Sequence, residues 1–262
     1  MKNILIMGYG EIGKGIGGLY EDNNDYNVFI YDIKDIVTPD YFDPYTEIRE
    51  EDTIDIMHIC IPYIPNFVEE SVKLMLKFKP KLTIINSTVP IGITSDLYKT
   101  ADMPVAHSPV MGKHPNLTEG IKTFKKIIGA PLKDFAIETE KHFNELGIET
   151  IVFNKSEDSE AAKLFDTTYY GWNIYYMKYL HKFCSEHGLD FDKVYTETNK
   201  IYNEGYTKLG NPEVVRPILT FVPGKIGGHC IRPNFKILCN YGFYPAILEK
   251  IMDSDDLEED AI

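Results

Sequence analysis

The sequence has no apolar run of the roughly 18 residues a membrane-spanning helix needs, so it offers no candidate span. Basic residues are outnumbered, 27 Lys and Arg against 40 Asp and Glu, for a net charge of −13. That balance argues against nucleic acid as a partner, because phosphate contacts need clustered Lys and Arg. Cysteine is scarce. Cys60, Cys184, Cys230 and Cys239 form no C-x-x-C pair and match neither a zinc ribbon nor a disulfide framework. Each is therefore a small buried hydrophobe or a reactive thiol. His107, His114, His142, His181 and His187 fall in no ligand spacing, so no metal is expected. No repeat recurs at solenoid periods. The opening run, Lys2 to Met7, stops at a glycine and lacks a small-residue cleavage site. It reads as a buried strand, not a signal peptide, and the expectation is a cytoplasmic protein.

What is present is a folded composition, 44% hydrophobic and 26% charged. Strands are predicted at Lys2–Met7, Val28–Tyr31, Ile54–Ile61, Leu82–Asn86, Pro104–Ala106, Lys126–Gly129 and Thr150–Phe153. Helices are predicted from about Glu11, over Val68–Phe78 and over Asp134–Leu146. This alternation is the mark of βαβ units and a mostly parallel, Rossmann-type sheet. Near Asn154 the pattern changes to one long helix that closes at Gly188, followed by further helical stretches and loops. The expected division is a dinucleotide-binding domain over 1–154, an all-helical domain with one long central helix over 155–252, and an acidic tail over 253–262. The tail holds six acids and no base.

The first strand runs into Gly8-Tyr9-Gly10-Glu11-Ile12-Gly13, and the second ends in Asp32, nineteen residues after Gly13. G-x-G-x-x-G between a strand and a helix, with a later acid, predicts NAD binding. The glycines bring backbone amides to the pyrophosphate at the helix start. Asp32 suits a ribose diol and repels a 2′-phosphate. His58 and Cys60 lie in an apolar strand and read as packed. Pro62 ends that strand at the rim where cofactor is expected. The segment Asn86-Ser87-Thr88-Val89-Pro90-Ile91-Gly92 ends another strand at the same rim. Its hydroxyls either orient a substrate or water or cap the next helix. Lys163 and Thr167 stand one turn apart on the long helix. Lys163 either snorkels to solvent or serves a site as charge stabiliser or acid/base. Finally, Pro223-Gly224-Lys225-Ile226-Gly227-Gly228-His229-Cys230 is a glycine-rich loop leading into a thiol. Such a thiol reacts when a cation or base favours thiolate.

Gly8–Gly13, Ser87–Gly92, Glu160–Tyr169 and Gly224–Cys230, in this order, resemble the UDP-glucose/GDP-mannose dehydrogenase family of nucleotide-sugar oxidoreductases. The resemblance implies NAD-dependent oxidation of a sugar primary alcohol to a carboxylate, through a thiohemiacetal and thioester on Cys230. It gives Lys163 the oxyanion, Thr88 the hydrolytic water and Glu119 a carboxylate near the site. It departs from the family at Val110, Thr167 and Asn234, where the family carries an acid, an Asn and an Asp. The chain ends where a third, nucleotide-sugar-binding domain would begin, so a short form is expected. Two alternatives stand beside this reading. One is a hydroxyacid or alcohol dehydrogenase without covalent catalysis. The other is a catalytically silent NAD-binding subunit. Tyr169, Tyr170, Trp172, Tyr175, Tyr176 and Tyr179 are too many aromatics for one helix face. They predict a homodimer through the long helix, 156–187.

Overall fold

A computed structural model describes residues 1–34, 39, 42–45, 48–49, 52–112, 116–226 and 231–243. His114, Gly227–Cys230 and the acidic tail therefore lie outside the described residues. The chain divides into two compact units, Met1–Lys163 and Leu164–Ile262.

The first unit carries a six-stranded, all-parallel sheet built from β1 (Lys2–Met7), β2 (Tyr26–Tyr31), β3 (Asp43–Pro44), β4 (Ile56–Ile59), β5 (Leu82–Ile85) and β6 (Val105–His107). Their spatial order is β3-β2-β1-β4-β5-β6. Period-two side chains fill both faces, as parallel sheets require. Ile4, Ile6, Val28, Ile30, Ile56 and Ile84 pack under α1 (Glu11–Gly17), α4 (Leu117–Thr123) and α5 (Lys133–Glu145). Leu5, Met7, Phe29, Met57, Ile59 and Ile85 pack under α2 (Phe67–Phe78) and α3 (Ile93–Ala101). The result is the doubly wound, three-layer plan expected from the sequence.

Two predicted strands behave differently. β7 (Lys126–Ile128) and β8 (Thr150–Val152) pair with each other in a separate two-stranded sheet. An antiparallel bridge between His107 and Gly129 joins β7's end to β6. The short helix α4 is an addition that sequence periodicity did not reveal. It closes on α1, where Leu117 meets Gly15 and Thr118 Oγ1 donates to Gly15 O.

Helix α6 (Ser156–Glu186) is the long helix. The second unit is helical, with a π-helix at Asp192–Glu197, then α7 (Thr198–Lys208) and α8 (Ile231–Cys239). Its core joins Ile226, Ile231 and Phe235 to Trp172, Ile174 and Tyr175. Gly171 makes this possible, since a Cβ there would lie 2.9 Å from Ile231 Cγ2. Trp172 and Tyr175 thus find intrachain partners, whereas Tyr169, Tyr170, Tyr176 and Tyr179 remain exposed in the monomer. No described helix is long and apolar enough to cross a membrane.

Candidate functional site

The carboxyl ends of the central strands finish in step. Gly8 N donates to Tyr31 O, Cys60 N to Met7 O and Asn86 N to Ile59 O. The chain order reverses between β1 and β4, and open α/β sheets bind ligands outside the strand ends at such a point.

Here the three glycines meet three different demands. Gly8 turns the chain at φ +89°, and a Cβ on it would lie 2.7 Å from Ile61 Cγ2. Gly13 packs so closely that a Cβ would lie 2.0 Å from Gly8 O. Gly10, at the start of α1, is the opposite case, with nothing within 4 Å of where its Cβ would be. That open backbone lies beside the first turn of α1, where helical amides lack intrahelical acceptors. Glu11 is exposed there and Ile12 packs against the core. Asp32 is fixed against the same turn, with Oδ2 accepting from Tyr9 N at 2.7 Å and Oδ1 from Lys34 N at 2.9 Å. Each carboxylate oxygen keeps a lone pair for a further donor such as a ribose hydroxyl. A dinucleotide fits these residues.

Pro62 is exposed at the rim and Thr88 is half-buried. Ser87 is buried, and its hydroxyl donates to Ile61 O at 2.5 Å, tying β5's end to β4's. Neither Ser87 nor Thr88 caps α3. Gly92 is the N-cap residue of that helix, and the side chain that accepts from its first amides is Glu160 of α6. Glu160 Oε2 accepts from Gly92 N at 2.6 Å, and Oε1 accepts from Thr94 N at 2.8 Å and Thr94 Oγ1 at 2.6 Å. Burial pushes Glu160 up to about 7 against these three hydrogen bonds.

Two further buried titratable groups, Lys126 and His107, lie beneath the same rim. Lys126 Nζ donates to Ser108 O and Pro109 O and lies 4.8 Å from the Phe143 ring centre. Burial pushes it down to about 7. His107 Nε2 donates to Ser87 O at 3.2 Å, and its Nδ1 lies 2.8 Å from Ser159 Oγ. Burial pushes that ring down to about 3, aided by the charges of Lys126 and Lys163. Sequence reasoning assigned none of these roles. The only signal was a polar residue inside an apolar strand, which Lys126 and His107 both show.

A hydrogen-bonded chain of fixed direction runs beside them. The Ile84 carbonyl can only accept, so the nitrogen of Asn86 faces it at 3.1 Å and the same Nδ2 donates to His58 Nδ1 at 3.0 Å. His58 must then carry its proton on Nε2 and donate to Tyr20 Oη at 2.6 Å. Tyr20 in turn donates to His142 Nε2 at 2.8 Å. The proton of His142 is left on Nδ1, a buried atom without a protein partner. Cys60, 3.8 Å from Asn86 Nδ2, has its thiol pushed up to about 12 by burial. His58 and Cys60 are thus packed residues, and Val110 joins the same core.

The other named residues fall as follows. Lys163 is half-buried at the end of the first unit. Glu119 is exposed on α4 and pairs with Lys122 at 4.0 Å. Thr167 and Asn234 are buried in the second unit, on α6 and α8. Cys230 is outside the described residues.

No family model matches the sequence, and no curated protein matches it. Solved structures do match. A UDP-glucose dehydrogenase from Pyrobaculum islandicum is 16% identical, covers 98% of this chain and 68% of its own, and superposes with a TM-score of 0.73. A UDP-D-ManNAc dehydrogenase from Pyrococcus horikoshii is 16% identical over 95% of this chain and 68% of its own, at a TM-score of 0.71. A 3-hydroxyisobutyrate dehydrogenase from Mycobacterium tuberculosis is 14% identical over 97% of this chain and 92% of its own, at 0.66. The chain spans 60–68% of the length of the sugar-nucleotide dehydrogenases it matches. At such identities the likeness is one of fold: a Rossmann-type parallel sheet followed by a helical region, the plan these dehydrogenases share.

Proposed function

We propose that the chain is an NAD-dependent oxidoreductase of the nucleotide-sugar dehydrogenase type, oxidising a primary alcohol of a sugar or nucleotide sugar to a carboxylate. The observation that carries the cofactor is the glycine turn, with its open Gly10 between a positive-φ Gly8 and a close-packed Gly13, facing Asp32. Gly8, Gly10, Glu11, Ile12, Gly13 and Asp32 hold the dinucleotide, with Pro62, Ser87 and Thr88 at the nicotinamide end. Bound NAD supplies the hydride acceptor. The chain's own residues do the rest. The Cys230 thiol adds to the aldehyde carbon formed in the first oxidation, and the oxygen takes a proton to give a thiohemiacetal. A second hydride removal makes the thioester, and water releases the carboxylate and returns the thiol. Lys163 stabilises the oxyanion, Thr88 positions the water, and Thr167, Asn234 and Glu119 complete the polar set.

The fold shared with 3-hydroxyisobutyrate dehydrogenase over 92% of that chain supports a second reading. In it a hydroxyacid or alcohol loses one hydride, with Lys163 as acid/base and no role for Cys230. Product counting separates the two. Under the first reading, NAD with a panel of UDP- and GDP-sugars yields two NADH per carboxylate, and Cys230→Ser yields none of the acid. One NADH per carbonyl product, unchanged in Cys230→Ser, selects the second. No turnover across the panel with NAD binding intact leaves a substrate outside the panel or a silent subunit.

The exposed tyrosines of α6 support a homodimer formed through that helix. Sedimentation at micromolar concentration should give twice the chain mass, and monomer alone would sink the idea. The free thiols Cys60, Cys184 and Cys239 suit a reducing compartment, which supports the cytoplasm as its place.

A further inference from the structure

We infer that His107 is a positioning residue, one that fixes the direction of the Thr88 amide at the nicotinamide end of the proposed cofactor site by holding the Ser87 carbonyl. Ser87 is tied to both neighbouring strands. On the β4 side its hydroxyl donates to Ile61 O at 2.5 Å. On the β6 side its carbonyl accepts from His107 Nε2 at 3.2 Å. A carbonyl can only accept, so Nε2 carries the ring proton. The Ser87 carbonyl and the Thr88 N–H belong to one rigid trans peptide plane and point in opposite directions. A ring that holds the oxygen therefore aims the N–H away from itself. Thr88 is half-buried at the rim, and no described residue accepts from its N–H or its hydroxyl. Two donors of one residue thus stand ready for an acceptor on a ligand.

The ring itself has little freedom. His107 is fully buried, its backbone N donates to Gly129 O at 2.7 Å, and its carbonyl accepts from Gly129 N at 2.9 Å. Nδ1 lies 2.8 Å from Ser159 Oγ, and the same hydroxyl reaches Ser156 O at 2.8 Å. Gly129 permits that approach, since a Cβ there would lie 2.4 Å from Ser159 Oγ and 2.7 Å from Lys155 O. The end of β6, the end of β7 and the first turn of α6 thus meet at one imidazole, all within the first unit. A buried imidazole carries a desolvation cost that is offset only where its nitrogens are used. Here one nitrogen holds the backbone of a rim residue, which an apolar side chain of similar volume would leave unheld. The inference rests on the proposed placement of the nicotinamide at Ser87 and Thr88. Losing one well-aimed hydrogen bond costs about tenfold in affinity.

The experiment compares His107→Leu and His107→Gln with the unsubstituted chain, using NAD and ADP-ribose as probes. Leucine removes the donor, and glutamine carries an amide N–H near the place of Nε2. By calorimetric titration, His107→Leu should bind NAD about tenfold more weakly and ADP-ribose within about twofold of the original. ADP-ribose lacks the nicotinamide and depends on the glycine turn and Asp32. His107→Gln should bring NAD affinity back to within about threefold. The carbonyl carbon resonance of Ser87, which reports hydrogen bonding at its oxygen, should move upfield in His107→Leu and return toward its original position in His107→Gln. If leucine prevents folding, Ser159→Ala takes its place with the same readouts. It frees Nδ1 while keeping the ring, and NAD affinity should fall about threefold. An unmoved Ser87 resonance in His107→Leu overturns the positioning. Equal losses for NAD and ADP-ribose, unrescued by glutamine, mark a purely structural role and overturn it as well. A moved resonance with NAD affinity unchanged overturns the link to the nicotinamide. An unsubstituted chain that binds ADP-ribose as tightly as NAD counts against the nicotinamide placement itself, and the Ser87 resonance still decides whether His107 holds that carbonyl.

Discussion

Gly13→Ala is expected to abolish NAD binding and to lower the unfolding free energy by about 3 kcal/mol or more. A Cβ at residue 13 would lie 2.0 Å from Gly8 O and 3.0 Å from Gly8 C, and both atoms are backbone. No rotamer change relieves such a contact. Either α1 moves off β1 or the turn at Gly8 opens, and Gly8 has little room, since even a Cβ built on it would lie 3.1 Å from Ile61 N and 3.2 Å from Cys60 C. Gly10→Ala provides the contrast. Its Cβ meets nothing within 4 Å, so stability should stay within about 1 kcal/mol of the original. The same methyl would stand where the pyrophosphate approaches, so NAD affinity should fall at least about tenfold. Chemical denaturation and an NAD titration of both variants check the pair. Equal stability losses would show that Gly10 is a structural glycine and that the open space beside it is not a cofactor cradle.

The contrast also shows how much the sequence could tell. The G-x-G-x-x-G spacing between β1 and α1 predicted where the turn would stand, and short apolar runs alternating with amphipathic stretches predicted five strands of the main sheet. These features are local, so sequence carries them. The two-residue β3 escaped because two residues have no period. β7 and β8 were seen as strands but not as a sheet of their own, because Lys126 pairs with Thr150 across the whole of α5, and no local spacing records such a pairing. The rim's supports were invisible for the same reason. Glu160 reaches Gly92 and Thr94 across more than sixty residues, and Lys126 reaches Ser108 and Pro109 from another strand. A residue that acts on a remote carbonyl or amide leaves no spacing to read. Lys163 and Lys178 show the limit well: both are lysines of one aromatic helix, and only tertiary structure gives Lys178 the carbonyl of Val222.

Those buried supports make the first unit acid-labile well above the usual carboxylate range. His58, His107 and His142 are all buried and all held neutral, His107 pushed down to about 3 and His142 to about 4, chiefly by burial. Unfolded, each binds a proton near pH 6.5. A depressed histidine contributes stability that is fully present above its unfolded value and drains away as pH falls toward its folded value. The window for loss therefore opens below about 6.5 and runs down to about 4 and 3. Glu160 acts in the opposite sense. With its folded value raised to about 7, it contributes stability at low pH that is lost as pH rises from about 4.5 to 7. One carboxyl set against three imidazoles leaves the histidines dominant. Lys126, pushed down to about 7, adds the same sign as the histidines between neutrality and its unfolded value of 10.5. The charges facing the rings reinforce the trend, since Lys126 and Lys163 oppose a proton on His107 and Lys2 opposes one on His142, with only Glu145 favouring it. The direction of the hydrogen-bond chain reinforces it again. A proton on His58 Nδ1 would face the Asn86 amide hydrogens, and one on His142 Nε2 would face the Tyr20 hydroxyl hydrogen. The unfolding free energy measured by urea titration should accordingly fall by about 3 kcal/mol or more between pH 7.5 and pH 5. Tyr20→Phe, which strands a donor on His58 and an acceptor on His142, should lower it by a further few kcal/mol at either pH. A flat profile across that range would mean that the three rings already carry protons in the folded state, and the fixed direction of the chain would have to be abandoned.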